Sequence, residues 1–236
     1  VTNTAAAGAF SEDLRTTVGA TTGGVTGSGA INALLAGASN NSAISVGVNA
    51  AVAGAQAGTV TLNYQTTGTV NGVSNGLGLA GANAPQVVNV TGNVYQVASG
   101  ALQTGPFNFG TIQVGQTVSQ NLVIRNTATG AGGFVEDLNA SFGAAGNGQI
   151  SGSGALSGVL AGNNSTGANG AMTVTVNGTT AGALNSSIGV NYFSAGAVNG
   201  VRNGLGLLAV GSENYGVNGN ITAVGNVIKQ ASPLIN

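Results

Sequence analysis

Apolar side chains alternate with small polar ones over short runs along this chain. In "AMTVTVN" (171–177), Met172, Val174 and Val176 take every second position, and in "AISVGVN" (43–49), Ile44, Val46 and Val48 do the same. "FNFGTIQVGQTVSQNLVI" (107–124) sets Phe107 and Phe109, then Ile112 and Val114, at period two. Period-two alternation with β-branched residues predicts half-buried antiparallel strands. Asn-Gly pairs at 71–72, 75–76, 147–148, 169–170, 177–178, 199–200, 203–204 and 218–219 predict turns, because both residues tolerate positive φ. No stretch shows the i, i+3, i+4 spacing of a helix, and glycine is too frequent for one.

The strand pattern occurs twice. "FSEDL" (10–14) returns as "FVEDL" (134–138), and "GSGAINALLAG" (27–37) as "GSGALSGVLAG" (152–162). "AISVGVNAAVAGAQAGTVTLNY" (43–64) aligns without a gap to "AMTVTVNGTTAGALNSSIGVNY" (171–192), and "VTGNVYQV" (90–97) aligns to "VNGNITAV" (217–224). The decapeptide "VNGVSNGLGL" (70–79) returns as "VNGVRNGLGL" (198–207), with Ser74 exchanged for Arg202. A whole domain is therefore duplicated, which argues against a short-period solenoid. The decapeptide follows the strand ending near Tyr64 or Tyr192 and reads as the turn before the last strand of each module. A dinucleotide-binding loop would need a following helix and a third glycine at the right spacing, and neither is present.

About seven short strands per module, separated by such turns, predict an all-β fold of two tandem immunoglobulin-like antiparallel β-sandwiches. The boundaries read as 1–104 for module 1 and 105–236 for module 2. Module 2 opens with "FNFGTIQVG" and "TVSQNLVIRNTA", whereas the opening "VTNTA" of module 1 aligns with "IRNTA" (124–128). Module 1 is thus expected to lack its initial strand, the segment equivalent to Phe109 through Val123. An open sheet edge is a template for another strand, and two explanations follow: the chain is an excerpt of a longer tandem array, or a neighbouring subunit supplies the missing strand by donor-strand complementation. The candidate acceptor region holds Val1, Phe10 and Leu14. The candidate polymerisation tail, "NVIKQASPLIN", holds Val227, Ile228, Leu234 and Ile235. A head-to-tail contact of this kind does not close on itself and builds a filament.

Composition narrows the function. Charged residues make up only 4% of the chain: Glu12, Asp13, Glu136, Asp137 and Glu213 against Arg15, Arg125, Arg202 and Lys229. Soluble domains average about 25%. Four scattered cations supply no phosphate-binding surface, so no nucleic-acid partner is expected. With no Cys and no His, the usual nucleophile, proton shuttle and metal ligands are missing, and neither an enzyme, a cofactor nor a metal is expected. No apolar run approaches the ~20 residues of a membrane span. Near-zero net charge favours association.

The order "NFGTIQVGQTVSQNLVIRNTA", "GFVEDLNASFG", an Ala/Thr-rich strand, "GxGxxGLG" and "VxVTGxVY" resembles the choice-of-anchor D repeat of bacterial secreted and surface proteins. The resemblance covers essentially the whole chain, twice. It implies an immunoglobulin-like stalk or spacer outside the cell and brings no catalytic residues.

The acidic pairs Glu12–Asp13 and Glu136–Asp137 occupy matching places and read as solvated strand starts, with Arg15 a partner in module 1. Two adjacent side chains on a strand point to opposite faces, which argues against a Ca²⁺ site. Tyr64 and Tyr192 read as core or corner tyrosines. Sequons at Asn40, Asn89, Asn139, Asn163, Asn177, Asn185 and Asn220 permit glycosylation. The expected function is a structural subunit of an extracellular filament, sheath or surface stalk, associating head-to-tail with other copies of itself. The alternative is an adhesin-type module that binds a glycan or surface partner.

Overall fold

The computed structural model describes residues 1–225, and the candidate tail residues Val227, Ile228, Leu234 and Ile235 lie outside them. The chain is all-β, with a single 3-10 turn at Gly167–Asn169 and no α-helix among the described residues. It divides into two compact units, Val1–Tyr95 and Gln96–Asn236.

Unit 1 contains β1 (Leu14–Thr21), β2 (Val25–Leu34), β3 (Ile44–Val48), β4 (Gly54–Thr66), β5 (Thr69–Val70), β6 (Val73–Ser74), β7 (Ala80–Gly81) and β8 (Gln86–Val94). Its sheet runs β3-β2-β1-β4, with β7 and β8 both paired to β4. Unit 2 contains β9 (Gly100–Leu102), β10 (Phe107–Gln113), β11 (Thr117–Asn121), β12 (Ile124–Asn126), β13 (Leu138–Ala145), β14 (Ile150–Val159), β15 (Met172–Asn177), β16 (Gly182–Ser194), β17 (Ala197–Val198), β18 (Val201–Arg202) and β19 (Leu208–Thr222). Its sheet runs β10-β19-β16-β13-β14-β15-β11.

The duplication holds at the level of register. β1 faces β2 with Leu14 opposite Leu34 and Thr16 opposite Ile31, and the pairing slips between those two positions. β13 faces β14 with Leu138 opposite Val159 and Ala140 opposite Leu156, and slips at the same place. Asn3 and Asn126 do the same work in the two units. Asn3 Nδ2 donates to the carbonyls of Glu12 and Leu34, and Asn126 Nδ2 to those of Glu136 and Val159.

The two ends of the unit 2 sheet are consecutive in sequence, joined by a turn in which Gln116 N donates to Gln113 O. The sheet therefore doubles back on itself, and β10 and β11 close the fold. Phe107 and Ile112 of β10 enter a core that also holds Ile150, Met172, Val174, Val176, Ile188, Val190, Val217 and Ile221. β10 lies parallel to β19, with Phe107 opposite Val217 and Ile112 opposite Ile221. This departs from the all-antiparallel expectation. The chain reaches this edge by a crossover rather than by a hairpin from β19, so nothing imposes the antiparallel direction. Residues 100–102, grouped with module 1 in the sequence, pair here with Ile124–Asn126 of unit 2.

Two glycines in each unit let the loop after the long strand pack backbone against backbone. Gly68 and Gly196 have φ of +66° and +61°, and a Cβ on them would lie 2.4 Å from Gly78 N and 2.3 Å from Gly206 O. A non-glycine residue in this left-handed region costs about 1–2 kcal/mol before any clash is counted. Gly196→Ala is expected to lower the melting temperature of unit 2 by about 4 °C or more. Scanning calorimetry of the full chain checks this, with the transition of unit 1 unmoved.

Candidate functional site

Two features stand out when the units are set side by side: a loop held by carboxylates in both, and a sheet face that is covered in unit 2 and more exposed in unit 1. The decapeptide forms the first. Val70-Asn71-Gly72-Val73 and Val198-Asn199-Gly200-Val201 are tight hairpins, in which Asn71 and Asn199 have φ of +49° and +51° and Gly72 and Gly200 have φ of +77° and +79°. Positive φ at both central positions is the turn whose twist matches the flanking strands. The exposed amides of the turn point at an aspartate. Asp13 Oδ1 accepts from Asn71 N (3.2 Å), and its Oδ2 accepts from Gly72 N (2.8 Å) and Thr69 Oγ1 (2.8 Å). Asp137 accepts from Asn199 N (3.0 Å) and Gly200 N (2.7 Å) in the same way. The neighbouring glutamates hold the second half of the loop: Asn75 Nδ2 donates to Glu12 Oε1, and Asn203 Nδ2 donates to Glu136 Oε1. Glu136 Oε2 also accepts from Ser194 Oγ, which in turn accepts from Ala98 N (2.8 Å).

The reading of these acids as solvated strand starts is corrected here. Asp13, Asp137 and Glu136 are 0%, 1% and 2% exposed. A buried carboxylate persists only where its oxygens are hydrogen-bonded; backbone N–H groups supply those bonds to Asp13 and Asp137, and the Ser194 and Asn203 side chains supply them to Glu136. Arg15 turns to Gln65 Oε1 at 2.7 Å. Glu12 is the more exposed member of its pair, and its carboxyl is held below the ordinary carboxylate range, first by the Asn75 side chain and then by Thr66. Among the described residues no three His, Cys, Asp or Glu come together.

The tyrosines sit where the core meets the rim. Tyr192 is buried and its hydroxyl donates to Glu213 Oε2 (3.1 Å), with Tyr215 bonded to both. Burial first, and the Glu213 charge second, push its phenol well above the usual range. Tyr64 is half-buried, donates to Gln86 Oε1 (2.7 Å), and is raised by burial alone.

The second feature is the difference in cover. β3 and β15 are equivalent strands. Met172, Val174 and Val176 are fully buried, and β11 lies beside them in the sheet, paired with β15 so that Val118 is opposite Val176 and Gln120 opposite Val174. In unit 1 Val46 is 43% exposed, where its equivalent Val174 is 0%, and Ile44 and Val48 are half-buried. β8 shows the same contrast. Val90 and Val94 are half-buried, whereas their equivalents Val217 and Ile221 are buried beside β10. Among the described residues, neither β3 nor the outer edge of β8 has a further hydrogen-bonded strand partner, and the two strands meet side chain to backbone, with Val48 packed over Gly92, where a Cβ would lie 2.9 Å from Val48 Cγ1. The connected core of unit 1 shrinks to Val25, Val60 and Leu62, with Val1, Val18, Ile44, Tyr64, Val88 and Val90 packed around it.

A groove of about 460 Å³ opens beside Tyr64, lined by Val1, Leu14, Leu62, Gln86 and Val88 among others. Two of the three candidate acceptor residues, Val1 and Leu14, therefore line one groove. The third, Phe10, sits in the turn before Ser11 and is 99% exposed.

No family model matches the chain, and no curated protein matches it. The solved structures to which it is similar include two at low identity. One is domains 4 and 5 of the S-layer protein SbsC, at 15% identity and a TM-score of 0.24, covering 70% of this chain and 65% of that one. The other is an endo-fucoidan hydrolase of glycoside hydrolase family 107, at 11% identity and a TM-score of 0.28, covering 90% of this chain and 24% of that one. The chain thus spans less than two thirds of either.

Two outcomes follow from the hydrogen bonding and the pKa directions. Asp137→Asn places an amide N–H₂ against at least one of the backbone N–H groups of Asn199 and Gly200, and is expected to destabilise unit 2 by about 1–3 kcal/mol in urea unfolding. Glu12 has a folded pKa below its ordinary value of 4.5. Its contribution to stability is therefore present above that pH and is lost as pH falls through the folded value. Glu12→Gln should flatten this acid limb for unit 1, as followed by unfolding between pH 6 and 2 (roughly the span over which a carboxylate titrates). An acid limb unchanged by the substitution would contradict the assignment.

Proposed function

We propose that the chain is a structural subunit of an extracellular filament, sheath or surface stalk, whose modules associate head-to-tail by β-strand complementation. One observation carries this reading: the same strand face is sealed in unit 2 and open in unit 1. An apolar sheet face gains about 1.5–3 kcal/mol for each valine taken from full exposure to full burial. Val46, Val90 and Val94 have part of that burial still to gain. The free backbone groups of β3 and β8 add hydrogen-bonding demand of the kind another strand meets.

The surface chemistry fits the role. With a formal net charge of −1, copies of the chain repel one another little. The chain carries few groups that titrate, so packing and backbone pairing hold it together across wide changes of pH and salt. No helix among the described residues is long and apolar enough to cross a membrane.

Val46→Lys tests the proposal. A lysine at this edge position can reach solvent while unit 1 stays folded, yet it blocks closure of the face. Sedimentation and negative-stain microscopy of the unmodified chain should show end-to-end assemblies at high concentration. The substitution should weaken that association by about tenfold or more, equivalent to about 1.4 kcal/mol. Val201→Lys, at a hairpin tip that is already exposed, should leave it intact. A monodisperse chain at every concentration, or assembly indifferent to Val46→Lys, would refute the reading.

A further inference from the structure

Unit 2 carries two adjoining surface grooves of about 640 and 530 Å³, within the roughly 300–1,000 Å³ of small-molecule sites. Arg125, Asn163 and Asn164 line the first, Asn139 and Arg202 line the second, and Gly158 lines both. A Cβ on Gly158 would meet nothing within 4 Å, so the saddle between the grooves is bare backbone. The duplicated unit provides a comparison. Unit 1 has Thr2 in the place of Arg125, Ala38 and Ser39 in those of Asn163 and Asn164, Ala33 in that of Gly158, and Ser74 in that of Arg202. Backbone contacts fix this correspondence: Arg125 bridges to Asn164 as Thr2 does to Ser39, and Asn126 N donates to Asn163 O as Asn3 N does to Ala38 O. Two cations and two amides thus stand where unit 1 has three hydroxyls and a methyl. The whole chain has only four Lys and Arg, so two on one pair of grooves is a concentration of charge.

We propose that the two grooves form one binding site for a linear acidic polysaccharide, with one oxyanion held at Arg125 and another at Arg202. Among the described residues neither guanidinium has a partner, and neither do the side chains of Asn163 and Asn164. Arg15, by contrast, is taken up by Gln65. Asp137 also lines the second groove, but it is 1% exposed and its oxygens face the amides of Asn199 and Gly200. A guanidinium holds a carboxylate or sulfate through paired N–H groups, and Asn amides both donate to and accept from hydroxyls. The bare saddle at Gly158 lets a chain of sugars pass from one groove to the next. An acidic peptide fits less well, because the backbone there has no free edge for strand addition. Gly158 N donates to Asn139 Oδ1, and Asn169 Nδ2 donates to the carbonyls of Ser157 and Gly158. No aromatic side chain lines either groove, so nucleic-acid bases have nothing to stack on. The site lies wholly in unit 2 and does not depend on the filament reading, whose exposed face is in unit 1.

Titration calorimetry of the full chain at low salt tests this, with polygalacturonate oligomers, dextran sulfate, neutral dextran and polyglutamate as probes. One or both acidic polysaccharides should bind saturably, about tenfold or more tighter than neutral dextran or polyglutamate. The preferred one tells whether carboxylate or sulfate is the group recognised, and raised salt should weaken its binding. Arg125→Gln and Arg202→Ser should each weaken binding by about tenfold or more. Both side chains are exposed, so the melting temperature should not move. Arg15→Gln, which removes a cation outside the grooves, should leave binding unchanged. No saturable binding of either acidic polysaccharide would overturn the proposal, as would indifference to either groove substitution or an equal loss with Arg15→Gln. Polyglutamate bound as tightly as the polysaccharides would overturn it too, in favour of an acidic peptide.

Discussion

A β-sheet with one apolar face is stable only when that face is covered, and this requirement organises both units. The chain has few large side chains to do the covering: six Phe, four Tyr and no Trp in 236 residues. Unit 2 meets the requirement by bending one sheet back on itself and closing the seam with β10 and β11, which bring Phe107 and Ile112 into the core. Unit 1 has the same framework, the same bulges and the same loop, without the closing pair among the described residues. Its equivalent valines stay partly in water. Packing density near that of crystals is the norm for protein interiors, so valines left partly in water are an attraction for further apolar cover.

The few charges are concentrated where the backbone needs them. Four of the five acidic residues hold the two copies of the decapeptide, and Asp13 and Asp137 each accept two consecutive amides from an Asn-Gly turn. Those bonds make the loops rigid without help from a large core. The apolar residues of the loops, Leu77, Leu79, Leu205 and Leu207, are displayed to solvent. The near-identity of the two decapeptides has a physical source. Every amide and Asn side chain in this network has one acceptor geometry available, and substitutions elsewhere in the modules meet looser constraints.

Much of the fold was legible because strand periodicity and Asn-Gly turns are local signals. Alternation at 43–49 and 171–177 marks β3 and β15, and the internal repeat marks two units of one topology. What was not legible depended on contacts distant in sequence. Glu136 and Asp137 open a strand with no cationic partner near them in sequence, so they read as solvated. Their partners lie at least 58 residues further along. One signal pointed to them: the acidic pairs and the decapeptide are both repeated, and at matched places. β9 is only three residues long and pairs with β12 across a long connection, a contact that local alternation does not report. The parallel direction of β10 follows from its crossover, which alternation does not report. Of the candidate acceptor residues, Phe10 is exposed, whereas Val1 and Leu14 line the groove beside Tyr64.

Amide hydrogen exchange, resolved by residue on the dilute chain and on its concentrated assemblies, tests the central claim most directly. In the dilute chain the outward amides of β3 and β8 should exchange far faster than those of β15 and β19. On assembly the protection of the two units should converge. Equal protection of both pairs in the dilute chain would mean that unit 1 is already closed, and would contradict the account.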